Sequence, residues 1–448
     1  MRVASPDEPS ESPLSPESPE CPAGLRLAYR PLDVVMIDEE LPYPANSGKR
    51  IRTLNLTLRL ARRHRITYLC HRNADPTEAT RAADFFRDHG IEPVIVDRAV
   101  PPRSGPGFYA RLAANLLSPL PYSVTSHDSR PLREAIATHA RSRPVDLWHC
   151  EWTPYAQALR SLAGGRRLVM AHNVESLIWR RYYENERNWL RRWYVKRQWR
   201  KFDRFERRAL AESDRAVAVS PVDAALFAEQ FGVPHVSVVD NGVDTAWFRP
   251  GQCGRDPRRV LYLGSLDWRP NLDAVDQLLT RVFPVVRAAV PDARLWLVGR
   301  HPPDALRRQV FAFPNVELHA DVADVRPFLN GAGVLAVPLR IGGGSRLKIL
   351  EALASGVPVV STRVGAEGLC LEPGKHLTVV EQADDMAAAL VEAIRSPKAA
   401  LAQAAAGRQR VLERYDWDVL ADKLEQAWLA CAGAPAAEPV PCQEGRAA

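Results

Sequence analysis

Short apolar runs alternate with longer amphipathic stretches along nearly the whole chain. LDVVMIDEE (32–40) reads as a buried strand, and SGKRIRTLNLTLRLARRH (47–64) follows it with helical spacing. RITYLCHR, IEPVIVDR, VDLWHCEW, RRLVMAHN and SDRAVAVS continue the apolar series in the first half. RRVLYLGSL, ARLWLVGR, VELHA, VLAVPL and VPVVST repeat the scheme in the second half. Strands alternating with helices imply parallel sheets covered on both faces. The expected fold class is α/β, built as two Rossmann-like domains over 29–245 and 259–412. A linker over 246–258 carries Pro250, Gly251, Gly254 and Pro257. The Ser-, Pro- and Glu-rich stretch 1–28 and the stretch 433–448 cannot bury enough surface to offset ordering entropy, and read as floppy tails.

In open α/β sheets ligands sit beyond the carboxyl ends of the strands, so the loops that follow strands are where chemistry is sought. VLAVPL is followed by IGGGSRLKILEALASG. Gly342, Gly343 and Gly344 let a ligand approach the backbone. Ser345 is placed to cap a helix starting at Arg346, and Gly356 to end it in the left-handed conformation. Free N–H groups at a helix start favour an anion, and Arg346 and Lys348 add positive charge. Lys348 and Glu351 are three residues apart and share a helical face. A carboxylate beside a phosphate site needs its own partner, and a ribose diol is one. The stretch therefore reads as a nucleotide holder, with phosphate at the glycines and sugar at Glu351. An ordinary strand–loop–helix with solvated charges would account for the same letters.

Spelling excludes two other phosphate motifs. NSGKR (46–50) has Tyr43 where a Walker loop needs its first Gly, and Arg50 after the Lys. G-x-G-x-x-G is absent after the first strand of either half. Seven scattered cysteines without a C-x-x-C pair argue against a structural zinc site and a disulfide framework, and fit a reducing, cytoplasmic setting. No apolar run of about 18 residues is present, so no transmembrane helix is expected, and the polar N-terminus lacks a secretory signal.

Composition changes the picture at one place. The 448 residues, enough for two domains, carry a net charge of +7. Arg180 to Arg208 holds twelve Lys/Arg against four Asp/Glu, a surplus of eight. The rest is nearly neutral, which argues against a general nucleic-acid binder. The segment is expected to form one long helix with a stripe of Val195, Trp199, Phe202 and Ala209, while Trp189, Leu190 and Trp193 point elsewhere. Arginines interleaved with Trp suit an anionic membrane surface or a lipid-phosphate acceptor. Packing with solvated arginines is the plainer alternative.

GGGSRLKILEALASGVPVVST, preceded by GSLDWRPNLDAV and ARLWLVGR and followed by GAEGL, resembles the retaining family-four (group 1) glycosyltransferases of the GT-B fold, in their bacterial polysaccharide and exopolysaccharide branch. The resemblance runs from Leu32 to about Trp428. It implies two Rossmann-like domains facing each other across a cleft, with a C-terminal helix over 413–432 packing back toward the first domain. It also implies a nucleotide-sugar donor in the second domain, a saccharide or lipid-linked acceptor in the first, and no metal or other cofactor. Such an enzyme would be cytoplasmic, and peripheral on the membrane if the basic segment binds lipid. The family's Gly-rich turn after the first strand matches Ser47 and Gly48, where many relatives have a second glycine in place of Lys49. HNVE places His172 near the transferred sugar, and VVDNGVD (238–244) matches the stretch near the crossover. Gly264 starts the loop after the second domain's first strand. By the same resemblance His172, Arg346 and Lys348 are the catalytic candidates, and Ser47, Gly48, Gly264, Gly342, Gly343, Gly344, Ser345 and Glu351 the donor-binding ones.

The chain departs from the family at two places. Ser265 and Pro270 stand where Arg and Lys usually hold the pyrophosphate, so Arg346 and Lys348 take over. Gly343 stands where the first of two glutamates is expected. No carboxylate is placed for double displacement, and the family is described by front-face attack, with catalysis by positioning and stabilisation of the departing diphosphate. A nucleotide-sugar epimerase of the same architecture, or a non-catalytic scaffold binding nucleotide sugar or membrane, are the competing readings.

Overall fold

The computed structural model describes residues 30–102, 104–162, 164–251, 254–340 and 346–433. They divide into two compact units, one of residues 30–240 with 421–433 and the other of residues 241–420. In the first unit β1 (Asp33–Asp38), β2 (Arg65–His71), β3 (Glu92–Val96), β4 (Leu147–Cys150), β5 (Arg166–Ala171), β6 (Arg215–Ala218) and β7 (Val236–Val238) form one sheet in the order β3-β2-β1-β4-β5-β6-β7. In the second, β8 (Asp256–Leu263), β9 (Arg294–Gly299), β10 (Val316–Ala320), β11 (Ala332–Val337), β12 (Val359–Thr362) and β13 (Thr378–Val380) run in the order β10-β9-β8-β11-β12-β13. All strand pairs are parallel.

The apolar runs explain this arrangement. Val34, Val35, Met36 and Ile37 are all buried, as only a strand covered on both faces requires. Val260, Leu261 and Tyr262 do the same for β8. All eleven apolar runs named above became strands. The three-residue β7 and β13, both only partly buried, gave no comparable signal.

Six helices matter for the site: α1 (Gly48–Ala61), α2 (Glu175–Asn185), α3 (Trp189–Ala211), α4 (Arg269–Gln277), α5 (Leu347–Ala354) and α6 (Trp417–Ala432). The basic segment is two helices, not one. Asn188 takes its backbone N–H to Glu186 and caps α3 by accepting from the Arg191 N–H at 3.1 Å. The resulting hairpin stacks Tyr183 on Trp199 and Trp179 on Phe202. The expected stripe is also corrected. Val195 and Trp199 are only half-buried, whereas Gln198, Lys201 and Glu206 are buried beside Phe202, Phe205 and Ala209. Each buried polar group has partners: Gln198 bonds Asn115 and the Tyr122 N–H, and Lys201 donates to the Asn115 carbonyl. Cys70, Cys150, Cys370 and Cys431 are free thiols. Among the described residues no helix is long and apolar enough to cross a membrane.

The Asn-Gly-Val-Asp stretch forms close backbone contacts within the second unit. Asp244 accepts from the N–H groups of Ala246 and Trp247, and Val243 donates to the Tyr415 carbonyl at 2.8 Å. A methyl group on Gly242 would lie 2.5 Å from Leu420 Cδ1 and 2.7 Å from the Tyr415 carbonyl oxygen. Gly242→Ala is therefore expected to cost about 1–3 kcal/mol by overpacking, read as a lowered denaturant midpoint. An unchanged midpoint would show that the neighbouring backbone yields freely.

Candidate functional site

Strand order reverses between β1 and β4 in one sheet and between β8 and β11 in the other. At such switch points the connections diverge to opposite faces and leave a crevice at the carboxyl ends of the strands. Ser47 and Gly48 follow β1, Gly264 follows β8, and Arg346, Lys348 and Glu351 follow β11. His172 follows β5, one strand beyond β4.

In the second unit two residues hold the Lys348 ammonium. Its Nζ donates to Asn271 Oδ1 at 3.2 Å and lies 4.6 Å from the centre of the Tyr262 ring. Tyr262 donates its hydroxyl to the same Asn271 oxygen at 3.0 Å, and Asn271 Nδ2 donates to the Ser265 carbonyl at 2.8 Å. The carboxamide of α4 is thus locked at both ends. Gly264 keeps the space open, since a Cβ there would stand 3.0 Å from Lys348 Nζ. Gly299 serves the same turn: its missing Cβ would come 1.9 Å from the Gly264 carbonyl oxygen.

Glu351 lies one turn further along α5 and is partly buried. Its carboxylate makes no hydrogen bond and no ion pair among the described residues. Burial pushes Glu351 up to about 7, opposed by Lys348, and pushes Lys348 down to about 7, opposed by Glu351. Two groups held so far from their ordinary values in one crevice mark a candidate binding site.

Arg346 stands differently from expectation. The helix starts at Leu347, and Arg346 occupies the capping position in the left-handed region at φ 53° with no side-chain cap. Its guanidinium is nearly buried, donating through Nη2 to the Val364 carbonyl at 2.8 Å, with Glu367 at 3.5 Å. The buried Nε has no hydrogen-bond partner among the described residues. Gly356 ends the helical stretch at φ 69°, as expected. Gly342, Gly343, Gly344 and Ser345 lie outside the described residues.

In the first unit Ser47 caps α1 by accepting from the Arg50 N–H, and Ser47 and Gly48 are exposed. Lys49 pairs with the buried Asp38 at 2.5 Å, and Tyr68 donates to the other Asp38 oxygen at 2.8 Å. His172 is 13% exposed at its side chain, with Nε2 3.3 Å from the buried Glu151. Just after it, α2 is capped across the hairpin. Glu206 accepts from the backbone N–H groups of Glu175 and Ser176 and from the Ser176 hydroxyl. Burial pushes Glu206 up to about 7, against the pull of those donors.

The sequence reading missed Asn271, Tyr262 and Glu151. Asn271 lies in GSLDWRPNLDAV, and Glu151 two residues after His149 in VDLWHCEW. A polar pair with period two at the end of a buried strand was the available signal.

Lys348 and Glu351 also shape stability. A lysine whose folded value is lowered destabilises fully below about 7 and ceases to above its ordinary 10.5. A glutamate whose folded value is raised begins to destabilise above its ordinary 4.5 and does so fully above about 7. Both costs overlap most near neutrality. The double variant Lys348→Met, Glu351→Gln should therefore gain stability over wild type, most near pH 7 and less at either pH extreme. Thermal unfolding across that range checks it, and a pH-independent difference would contradict it.

Residues 47–247 match the family model described as Glycosyltransferase Family 4, and residues 257–396 the one described as Glycosyl transferases group 1. A phosphatidyl-myo-inositol mannosyltransferase of Mycolicibacterium smegmatis is 30% identical over 227 residues, covering 49% of this chain and 58% of that protein. A glycogen synthase of Mycobacterium tuberculosis is 29% identical over 233 residues, covering 49% of this chain and 55% of that protein. The matched stretch thus spans little more than half the length of these curated relatives. Among solved structures, sucrose-phosphate synthase from Thermosynechococcus elongatus superimposes with a TM-score of 0.64 at 18% identity, over 90% of this chain and 99% of that one. Anabaena HepE in complex with UDP and glucose gives 0.60 at 14% identity, over 88% and 99%. At such identities the structures speak for the fold alone, which is that of the GT-B glycosyltransferases. The chain therefore carries a Glycosyltransferase Family 4 segment followed by a Glycosyl transferases group 1 segment, each on its own parallel-sheet Rossmann-like unit.

Proposed function

We propose that the chain is a glycosyltransferase that moves a sugar from a nucleotide-sugar donor to a saccharide or lipid-linked acceptor, with retention at the anomeric carbon and without a metal. The observation that carries this is the face of α5 at its switch point. There a held ammonium and an unbonded carboxylate stand one helical turn apart. In this reading Lys348 meets the donor diphosphate, and Arg346 Nε, which has no partner among the described residues, is a second donor. Glu351 accepts from the ribose diol, which supplies the partners the carboxylate lacks. Charge that builds on the departing diphosphate then meets cations already in place, so little reorganisation is needed during transfer. His172, Ser47 and Gly48 serve the transferred sugar and the acceptor hydroxyl in this reading. The mannosyltransferase and the glycogen synthase among the relatives support the reaction class, and HepE was solved with UDP and glucose bound.

Glu351→Ala and Lys348→Ala should each weaken donor binding while leaving the protein folded. Losing one charge-assisted contact costs about 1.5–3 kcal/mol, roughly a tenfold to hundredfold loss of affinity. A thermal-shift panel of UDP-, GDP- and ADP-sugars identifies the donor, because bound ligand raises apparent stability by mass action. Unchanged affinity in both variants would remove the site assignment, and donor turnover without any acceptor would favour an epimerase.

The acceptor side of the reading includes an anionic membrane. Trp189, Trp193, Arg197, Arg200 and Arg204 recur every three or four residues along α3 and are all exposed, with Trp189 at 74%. This face lies opposite the one that buries Gln198, Phe202 and Phe205. Each basic residue at an anionic surface contributes about 1 kcal/mol, and the attraction fades over roughly 8 Å at physiological salt. Binding should therefore be reversible and salt-sensitive. Arg192 and Lys196 are engaged with the Tyr183 ring, so the variant that tests this keeps them. Changing Trp189 and Trp193 to Ala, with Arg200 and Arg204 to Gln, should abolish co-sedimentation with phosphatidylglycerol vesicles at low salt. Equal sedimentation of both proteins would leave the face as solvated surface.

A further inference from the structure

Glu151 is an isolated carboxylate in the core of the first unit, and nothing in the donor chemistry accounts for it. It follows β4 directly and is 2% exposed. Its Oε1 accepts from the Thr53 hydroxyl at 2.7 Å and stands 3.3 Å from His172 Nε2, while Oε2 stands 3.1 Å from His149 Nε2. The two histidine contacts are close ion-pair distances whose geometry falls short of a full hydrogen bond. Lys49 and Arg52 are the permanent cations that act on Glu151 through space.

The far side of His149 fixes the proton. Trp428, on α6, donates its indole N–H to His149 Nδ1 at 3.0 Å. An indole nitrogen is a donor only, so Nδ1 must carry the lone pair. In the neutral ring the proton then sits on Nε2, facing Glu151. Chemistry assigns this tautomer without reference to any visible hydrogen. Burial pushes Glu151 up, but the two imidazoles outweigh it and hold the carboxyl well below the usual range. An ionised carboxylate can only accept, so in the neutral form of each ring it favours the tautomer with the proton on Nε2. His172 Nδ1 is thereby left as an acceptor on a side chain that stays partly exposed.

We infer that Glu151 is a positioning residue for His172, and that Trp428 holds Glu151 in register through His149, so that the C-terminal helix helps present a hydrogen-bond acceptor to a sugar hydroxyl. The inference rests on the proposed reading of His172 as a group that serves the transferred sugar. A carboxylate placed only to satisfy buried donors would need no particular tautomer on the exposed ring. A carboxylate that orients His172 does.

The test uses the full chain with 15N-labelled histidine. Wild type should show His149 and His172 protonated at Nε2 in long-range 15N–1H spectra. In Glu151→Gln, one carboxylate oxygen becomes an amide donor, and His172 should lose its fixed Nε2 proton. Turnover, followed as nucleoside diphosphate release from the nucleotide sugar found in the thermal panel, should fall roughly tenfold to hundredfold in kcat, with the donor KM within about twofold. Trp428→Phe should release the tautomer of His149 and lower kcat by less. A His172 ring that keeps its Nε2 proton in Glu151→Gln overturns the inference, whatever happens to turnover. Full turnover in His172→Ala would instead sink the functional reading on which it rests. Should Glu151→Gln fail to fold, Trp428→Phe carries the decision, and an unchanged His149 tautomer with unchanged kcat there overturns the inference.

Discussion

A parallel sheet covered by helices on both faces leaves its polar side chains few places to go. In the two units the middle of β1 (Val34 to Ile37) and the second half of β8 (Val260 to Leu263) are apolar and buried, with neighbouring strands on both sides. Charge inside such a sheet must be paired or lie at a strand's carboxyl end, where the chain turns outward. Three charged residues show this. Asp38, the last residue of β1, is neutralised by Lys49; Glu151 follows β4 and gathers Thr53 and two imidazoles; Lys348 follows β11 and leans on Asn271 and Tyr262. The site is where the architecture permits polarity.

The two units treat their buried charges in opposite ways. Glu151 has the Thr53 hydroxyl on one oxygen and an imidazole close to each, which favour its ionised form. Lys348 and Glu351 are left short of partners, and burial drives both toward their neutral forms. The first arrangement is complete without a ligand. The second holds its two charges at a cost in stability, which in the proposed reading a phosphate and a diol would offset.

Periodicity made the strands legible because each was a run of apolar residues bounded by breakers, and the Gly356 stop was legible because only a left-handed residue fits there. Lys348 and Glu351 were readable from their spacing on one helix. Asn271 was not, because its importance lies in a contact with a residue 77 positions away. The α2–α3 break was hidden for a different reason. Arg, Asn and Glu at 184–188 are compatible with a helix, and only the Asn188 cap and the stacking of Tyr183 on Trp199 choose the hairpin. Gln198, Lys201 and Glu206 likewise looked like solvent-facing positions until their partners at Asn115, Tyr122 and Ser176 were known. Local pattern reports the backbone well, and long-range polar pairing poorly.

The return of residues 421–433 to the unit that begins the chain bears on how the protein is made. Domains usually fold as units, the N-terminal one first as it leaves the ribosome. Here the first unit cannot close when its seventh strand emerges. Trp428, buried against His149, and Glu425, paired with His64 and Arg63, are translated only after the whole of residues 241–420. Until then the surface around His64 and His149 lacks its cover and exposes apolar and polar groups that expect a partner. Helix α6 thus completes a sheet whose strands are synthesised before residues 241–420, and the nascent chain carries that unfinished unit while those residues are made.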